Sequence, residues 1–228
     1  MTSIKSSIAK RFPWVLTGKA WLVAITKALL PVQQTYSQNG EDLLVEEMLK
    51  QKPPADGAIY VDVGANHPTR LSNTYRFYRQ GRRGVTIEPN SSLLRMHRWV
   101  RRFDTCLGVG CGDTPGLFRF WNAFSNDLSG FDKTRLKTSH FRRVEWVPVL
   151  TLDSILAGIG QPKVFLLSID VEGLDLAVLR GAYETLKQTS IVIVEGTVED
   201  RELRGLLSTF GFELFTATAH NLMFKRII

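Results

Sequence analysis

The sequence predicts an α/β fold, a mostly parallel sheet with helices on both faces, and three observations carry that expectation. Short apolar runs at 59–63, 84–87, 164–169 and 191–194 alternate with stretches of helical periodicity, the pattern of βαβ units. Their β-branched and aromatic residues are nearly continuous rather than alternating, as in strands buried on both faces. The last two runs, 212–217 and 221–227, are joined only by Thr218-Ala219-His220 and read as an antiparallel hairpin.

The stretch Ala58-Ile59-Tyr60-Val61-Asp62-Val63-Gly64-Ala65-Asn66 reads as a buried strand running into a tight glycine turn. Before it, a helix is expected from Glu41 to about Lys50, burying Leu44, Val45, Met48 and Leu49, with Asn39 and Asp42 as a cap pair. After it, Pro68 sets an extended turn, and Ser72 or Asn73 caps a helix ending near Gly81. Residues 91–102 are expected as a helix with Leu93, Met96 and Val100 inward and Arg95, Arg98, Arg101 and Arg102 outward. A third strand is expected from Leu107 to Gly112, ending at Asp113, then a strand at 118–121 after the Pro115-Gly116 turn. Residues 122–143 lack periodicity, and 147–150 read as an edge strand because Pro148 cannot serve a central one. Thr151-Leu152-Asp153 starts a short helix. One helix carrying Leu176, Leu179, Ala182 and Leu186 follows the 164–169 strand, and a polar helix from about Glu199 to Thr209 precedes the hairpin.

A chain of 228 residues suits one core, here residues 35–228, with residues 1–34 as a basic amphipathic helical extension. The net charge of +7 is uneven. Lys5, Lys10, Arg11, Lys19 and Lys27 precede any acid, so the body carries only +2, which argues against nucleic acid as partner. Lys19 and Lys27 interrupt the apolar run, so neither a signal peptide nor a membrane span fits. On a helix, Trp21, Leu22, Ile25, Ala28 and Leu29 share one face. That face lies on an anionic membrane as a peripheral contact, or packs on the domain or a partner chain. Cys106 and Cys111 are too few for a disulfide framework, and on one strand their odd spacing would point them to opposite faces, which suits a reducing cytoplasm.

Four strand ends carry acids: Asp62, Glu88, Asp170 and Glu195, with Asp113 behind a fifth. In a parallel sheet these fall on one edge, where ligands of open α/β sheets bind. A row of carboxylates opposes a pyrophosphate, and Asn66 and Pro68 stand where a dinucleotide fingerprint wants small residues. An acid ending the second strand can accept hydrogen bonds from two ribose hydroxyls, so the row suits a cationic, phosphate-free nucleoside such as S-adenosylmethionine.

From Ser37 to about Glu195 the chain resembles the FkbM family of S-adenosylmethionine-dependent methyltransferases. The matching stretches are Ser37-Gln38-Asn39-Gly40-Glu41-Asp42, Val61-Asp62-Val63-Gly64-Ala65-Asn66, Ser72-Asn73-Thr74-Tyr75, Gly84-Val85-Thr86-Ile87-Glu88-Pro89-Asn90, Thr151-Leu152-Asp153 and Ser168-Ile169-Asp170-Val171-Glu172-Gly173. The resemblance implies the class I methyltransferase fold, a seven-stranded, mostly parallel, Rossmann-like sheet with a reversed last strand and helices on both faces. It implies cofactor contacts from Gln38, Asp62, Gly64, Asn66, Ser72, Asn73, Glu88 with Pro89, Asp113 near the adenine, and Asp170. It also implies O-methylation of a sugar in a glycan or glycolipid, or of a natural-product hydroxyl.

Methyl transfer from a sulfonium asks for alignment and exclusion of water, and a sugar hydroxyl also wants a general base. The candidates are Asp170, then Glu172, then His67, which stands with Pro68 where the family usually has an Asp-Gly-like pair. Glu195 is either a structural strand-end acid or a substrate contact. A divalent metal on Asp170 is compatible with the sequence, but no ligand spacing indicates one. A non-catalytic nucleoside-binding scaffold, or less favourably an NAD-dependent oxidoreductase, would share the sheet. Oligomeric state has no sequence signal.

Overall fold

The computed structural model describes Gly18 and residues 21–26, 34–123, 129–131 and 141–227. Its main sheet is built from β1 (Ile59–Val63), β2 (Gly84–Ile87), β3 (Thr105–Leu107), β7 (Val164–Ile169), β8 (Thr189–Glu195), β9 (Phe212–Ala217) and β10 (Asn221–Arg226). Their order is β3-β2-β1-β7-β8-β10-β9. The neighbours β3, β2, β1, β7 and β8 pair in parallel, and only β10 runs against them, between β8 and β9. The expected seven-stranded sheet with one reversed strand is therefore present. A second, three-stranded sheet holds β4 (Gly110–Cys111), β6 (Phe141–Leu150) and β5 (Gly116–Ala123), in that order.

Strand alternation divides the core. Val61, Val63, Val85, Ile87 and Ile169 enter one cluster, while Tyr60, Leu166, Ile191, Ile193 and Met223 enter the other. Each such fully buried apolar side chain contributes about 1.5–3 kcal/mol. Helices α1 (Glu41–Gln51), α2 (Tyr75–Arg79), α3 (Ser91–Val100), α4 (Leu152–Ala157), α5 (Asp175–Arg180), α6 (Tyr183–Lys187) and α7 (Arg201–Thr209) connect or cover the strands.

Several local expectations give way to close packing. The single third strand becomes β3 and β4, which lie in different sheets. Between them Gly108 passes so near Leu94 that an added Cβ would lie 2.6 Å from its Cδ2, and the chain leaves the main sheet there. Cys106 and Cys111 thus sit in different sheets, both as free thiols. Strand β6 is central rather than an edge strand. It tolerates Pro148 because β4 pairs only with Val149 and Leu150. The helix expected after Asp170 breaks into α5 and α6 around Gly181, where a Cβ would lie 2.3 Å from the Gly112 carbonyl oxygen. Leu44 is exposed, whereas Val45 is buried. Gly40, at φ 85°, precedes α1 in place of an Asn39–Asp42 cap. Residues 21–26 are helical and turn Ala24, rather than Leu22, into a cluster with Tyr36, Tyr75, Leu93 and Met96. Ala28 and Leu29 lie outside the described residues.

The largest correction concerns Arg101. Expected on the outer face of a helix, it follows the end of α3 and is fully buried. Its Nε donates to the Pro68 carbonyl (2.9 Å), Nη1 to Thr74 Oγ1 (2.8 Å) and Nη2 to Ser72 Oγ (2.6 Å). Asp62 and Asp104 stand 3.7 and 3.8 Å from Nη1, and the Tyr75 ring lies 5.3 Å from its centre. Burial raises the carboxyls of both Asp62 and Asp104, and Arg101 opposes that rise.

Removing this cation strands two buried carboxylates. Arg101→Met is expected to destabilise the fold by about 3–5 kcal/mol, read from the urea unfolding midpoint. Arg101→Lys should recover only part of that loss, because an ammonium cannot span Pro68, Ser72 and Thr74 in one plane.

Candidate functional site

The carboxyl ends of β1, β2, β7 and β8 meet at one edge, as the acidic strand ends imply. At the end of β1 the chain turns at Gly64, with φ 75°. A Cβ there would lie 1.8 Å from the Asp170 carbonyl oxygen, so only glycine lets the turns after β1 and β7 lie together. The Gly64 and Ala65 amides both donate to the Ile87 carbonyl (3.0 and 3.1 Å).

Asn66 follows in a left-handed conformation, φ 43°. Its amide donates to Glu88 Oε2 (2.8 Å), and its carbonyl accepts from His97 Nε2 (2.9 Å). Burial and the nearby Arg101 charge push the His97 imidazole down to about 3, so it is neutral, and its proton is on Nε2. Among the described residues, its buried Nδ1 has no hydrogen-bond partner. Glu88 is held from both sides, since its Oε1 accepts from the Asn90 amide (2.7 Å). Burial pushes this carboxyl up to about 7, opposed by the Asn90 and Asn66 amides and helped by Asp62.

Two clefts share Gly64, Asn66, Asp170 and Glu172. The first is largely apolar, with Ile87, Val109, Phe120, Phe131 and Leu174 around Glu88 and Pro89. The second is polar and gathers Gln38, Asp62, Ser72, Asn73, Ser168 and Glu195. Each half is built from separate pieces of sequence. Phe120, on β5 of the second sheet, and Phe131, beside the Trp121–Gly130 bridge, pack edge to face at 5.0 Å over the apolar cleft. Asn73 is fixed by a bond from its Nδ2 to Ser168 Oγ (3.1 Å). Gln38 is exposed at the mouth.

The 37–42 motif is tied down by its two acids. Asp42 accepts from Ser37 Oγ (2.9 Å) and the Tyr36 amide (2.9 Å). Glu41 accepts from the Asn39 amide, Thr218 Oγ1 and Asn221 Nδ2 at 2.8–2.9 Å. Burial raises the Glu41 carboxyl, yet these donors prevail and hold it at about 2.

Asp170 faces both clefts. Its side chain is exposed at the cleft, yet the atoms crowded around it remove part of its solvation, and this, then repulsion by Glu195, Asp175, Glu172 and Asp62, pushes its carboxyl up to about 7. Asp175 braces the loop by accepting from the Val171 and Gly173 amides, both at 3.2 Å. Glu172 takes φ 53°. His67 lines the polar cleft, but its Nδ1 accepts from the Thr69 and Arg70 amides, both at 3.2 Å. A nitrogen so engaged is poorly placed to take a proton. Asp113 is exposed and lines neither cleft. Among the described residues, no group of three or more His, Cys, Asp and Glu is arranged to hold a metal ion.

The strand order, with its reversed strand and a cleft at the parallel strands' carboxyl ends, is that of the class I methyltransferase fold. The methyltransferase FkbM domain profile matches residues 62–214, and the chain belongs to that family. Among solved structures it is similar to the methyltransferase FkbM from Methylobacillus flagellatus KT, at a TM-score of 0.52 and 15% identity, over 96% of this chain and 60% of that one. It thus spans about 60% of that protein's length. It is also similar to a TehB-like SAM-dependent methyltransferase from Corynebacterium glutamicum, at a TM-score of 0.42 and 12% identity, with both chains fully covered. No curated protein matches the sequence.

Glu88 makes stability depend on pH. Its carboxyl rises from 4.5 to about 7 on folding, so between those values the folded state holds the extra proton. Its contribution is full below pH 4.5 and is lost as pH rises through 7, with a slope of up to ~1.4 kcal/mol per pH unit. Urea unfolding of the wild type and Glu88→Gln should therefore show the wild type losing ground to the variant as pH rises from acid to neutral. A difference that stays constant with pH would contradict this.

Proposed function

We propose that the protein is an S-adenosylmethionine-dependent O-methyltransferase, acting on a sugar hydroxyl of a glycan or glycolipid or on a related natural-product hydroxyl. The observation that carries this reading is the joined pair of clefts, apolar around Glu88 and acidic around Asp170. The apolar half suits an adenine between Phe120, Phe131 and Leu174, with Glu88 toward the ribose hydroxyls. The polar half suits the methionine end, near Asp62, Gly64, Asn73 and Gln38. When bound, the cofactor supplies an electrophilic methyl group on a positively charged sulfur.

The chain's own residues then have three tasks. Asp62, Asp170, Glu172 and Glu195 give the polar cleft a negative field that complements a sulfonium. The turns around Gly64 and Asn66, fixed by Glu88 and His97, hold the site in one geometry before any ligand arrives. Asp170, with a carboxyl near 7, can accept the hydroxyl proton at neutral pH and is the preferred base. Glu172 is next to it, and His67 serves better as a positioning residue, since its Nδ1 is engaged. The two free thiols accord with a cytoplasmic location. Among the described residues, no helix is long and apolar enough to cross a membrane.

Calorimetric titration with S-adenosylhomocysteine, with NAD in parallel, tests the reading. Wild type should bind the former and not the latter. Glu88→Ala should weaken binding about 10- to 100-fold, the worth of two lost hydrogen bonds. Asp170→Asn should largely keep the affinity for S-adenosylhomocysteine, whose sulfur is uncharged, while lowering kcat by at least about 100-fold once an acceptor is found. Failure to bind S-adenosylhomocysteine would overturn the proposal and favour a scaffold, or an oxidoreductase if NAD bound instead.

A further inference from the structure

Arginine accumulates at the end of the sheet opposite the clefts. Between residues 75 and 103 stand eight arginines and a single acid, Glu88. Arg101 is buried, and Arg76 pairs with Glu46 at 2.6 Å. Arg83, Arg98 and Arg102 are exposed and, among the described residues, form no salt bridge within 4 Å, although Arg83 lies in the field of the Asp104 carboxylate. They line one surface cleft together with Trp99 and Phe103, which are 52% and 56% exposed. Arg83 directly precedes β2, and Arg102 and Phe103 shortly precede β3, which places the cleft at the amino ends of the strands. Trp21 packs edge-on against Trp99 with centroids 5.8 Å apart, and the adjoining Leu22 is 61% exposed.

We propose that this face docks on an anionic membrane surface, with Trp99 and Phe103 at headgroup depth and Arg83, Arg98 and Arg102 on lipid phosphates. Half-exposed aromatics in a cleft whose charged lining residues are all arginines match the two terms of interfacial binding, apolar insertion and attraction to anionic lipid. In sequence, residues 1–34 hold five cations and no acid, and Trp21, which meets Trp99, belongs to that segment. A single-stranded nucleic acid would need open ring faces for base stacking. Here Arg83 and Arg102 lie 4.9 and 4.6 Å from the Phe103 centroid, and Trp21 meets Trp99. The proposal goes beyond the methyl-transfer reading and does not depend on it.

Co-sedimentation of the full chain with phosphatidylcholine vesicles, with and without phosphatidylglycerol, tests it. Binding is expected only with the anionic lipid. Combined Arg83→Glu, Arg98→Glu and Arg102→Glu should weaken that binding by at least about tenfold. Trp99→Ala with Phe103→Ala should leave attraction at low salt but abolish retention at high salt. Circular dichroism and the melting temperature check that each variant is folded. Three results would overturn the proposal: no binding to anionic vesicles, undiminished binding by the folded charge-reversal variant, or binding of an RNA oligonucleotide at protein concentrations that leave the vesicles bare.

Discussion

The Arg101 guanidinium sits in the interior where strands β1 and β2 meet the 68–74 loop, and it uses all three nitrogens there. A buried cation is costly unless its donors are used and a counter-charge is near, and the surrounding residues meet both conditions. Asp62 and Asp104 supply charge, while Pro68, Ser72 and Thr74 supply oxygen. Asp104 in turn accepts from the Tyr60 hydroxyl and the Gly84 amide (3.0 Å), which fastens the group to β1 and β2. The polar cleft is thus the outer skin of a charged core: Ser72 and Asn73 flank it only because the loop that bears them is tied to Arg101.

The acids on the other side of this core face a different problem. Four carboxyls converge around Asp170, and full ionisation of all of them would repel. The fold lowers that cost by letting Asp170 hold its proton up to about pH 7, while Glu41, outside this group and wrapped in donors, stays ionised. A positively charged ligand shifts this balance toward the ionised forms. The cleft that repels itself when empty therefore gains from a cationic guest.

Much of the sheet was legible because strands buried on both faces leave continuous apolar runs, and the acids interrupting them mark the functional edge. Six short motifs in order fixed the family, and the profile spanning residues 62–214 agrees with them. What sequence could not supply was placement in three dimensions. Arg101 follows two outward arginines at helical spacing and looks like a third, and only tertiary contacts draw it inside. His97, one residue past Met96 and four past Leu93, stands on the inner face of α3 and could have been found by periodicity. The split after β3 and the arrival of Phe120 and Phe131 over the apolar cleft depend on long-range packing around glycines, which leaves no periodic trace.

Helix α3 is only about 15 Å long, yet it touches each piece of the functional edge in turn. At its start Asn90 caps the helix through the Ser92 amide (3.0 Å) and gives its own amide to Glu88. In its middle His97 grips Asn66, and just past its end Arg101 grips Pro68, Ser72 and Thr74. The assembled edge can therefore last no longer than this one helix stays formed. Amide-exchange protection along 91–100 becomes a clock for how long the turn and loop remain ready, and a substitution that lets α3 fray would shorten that lifetime while the strands beneath stay intact.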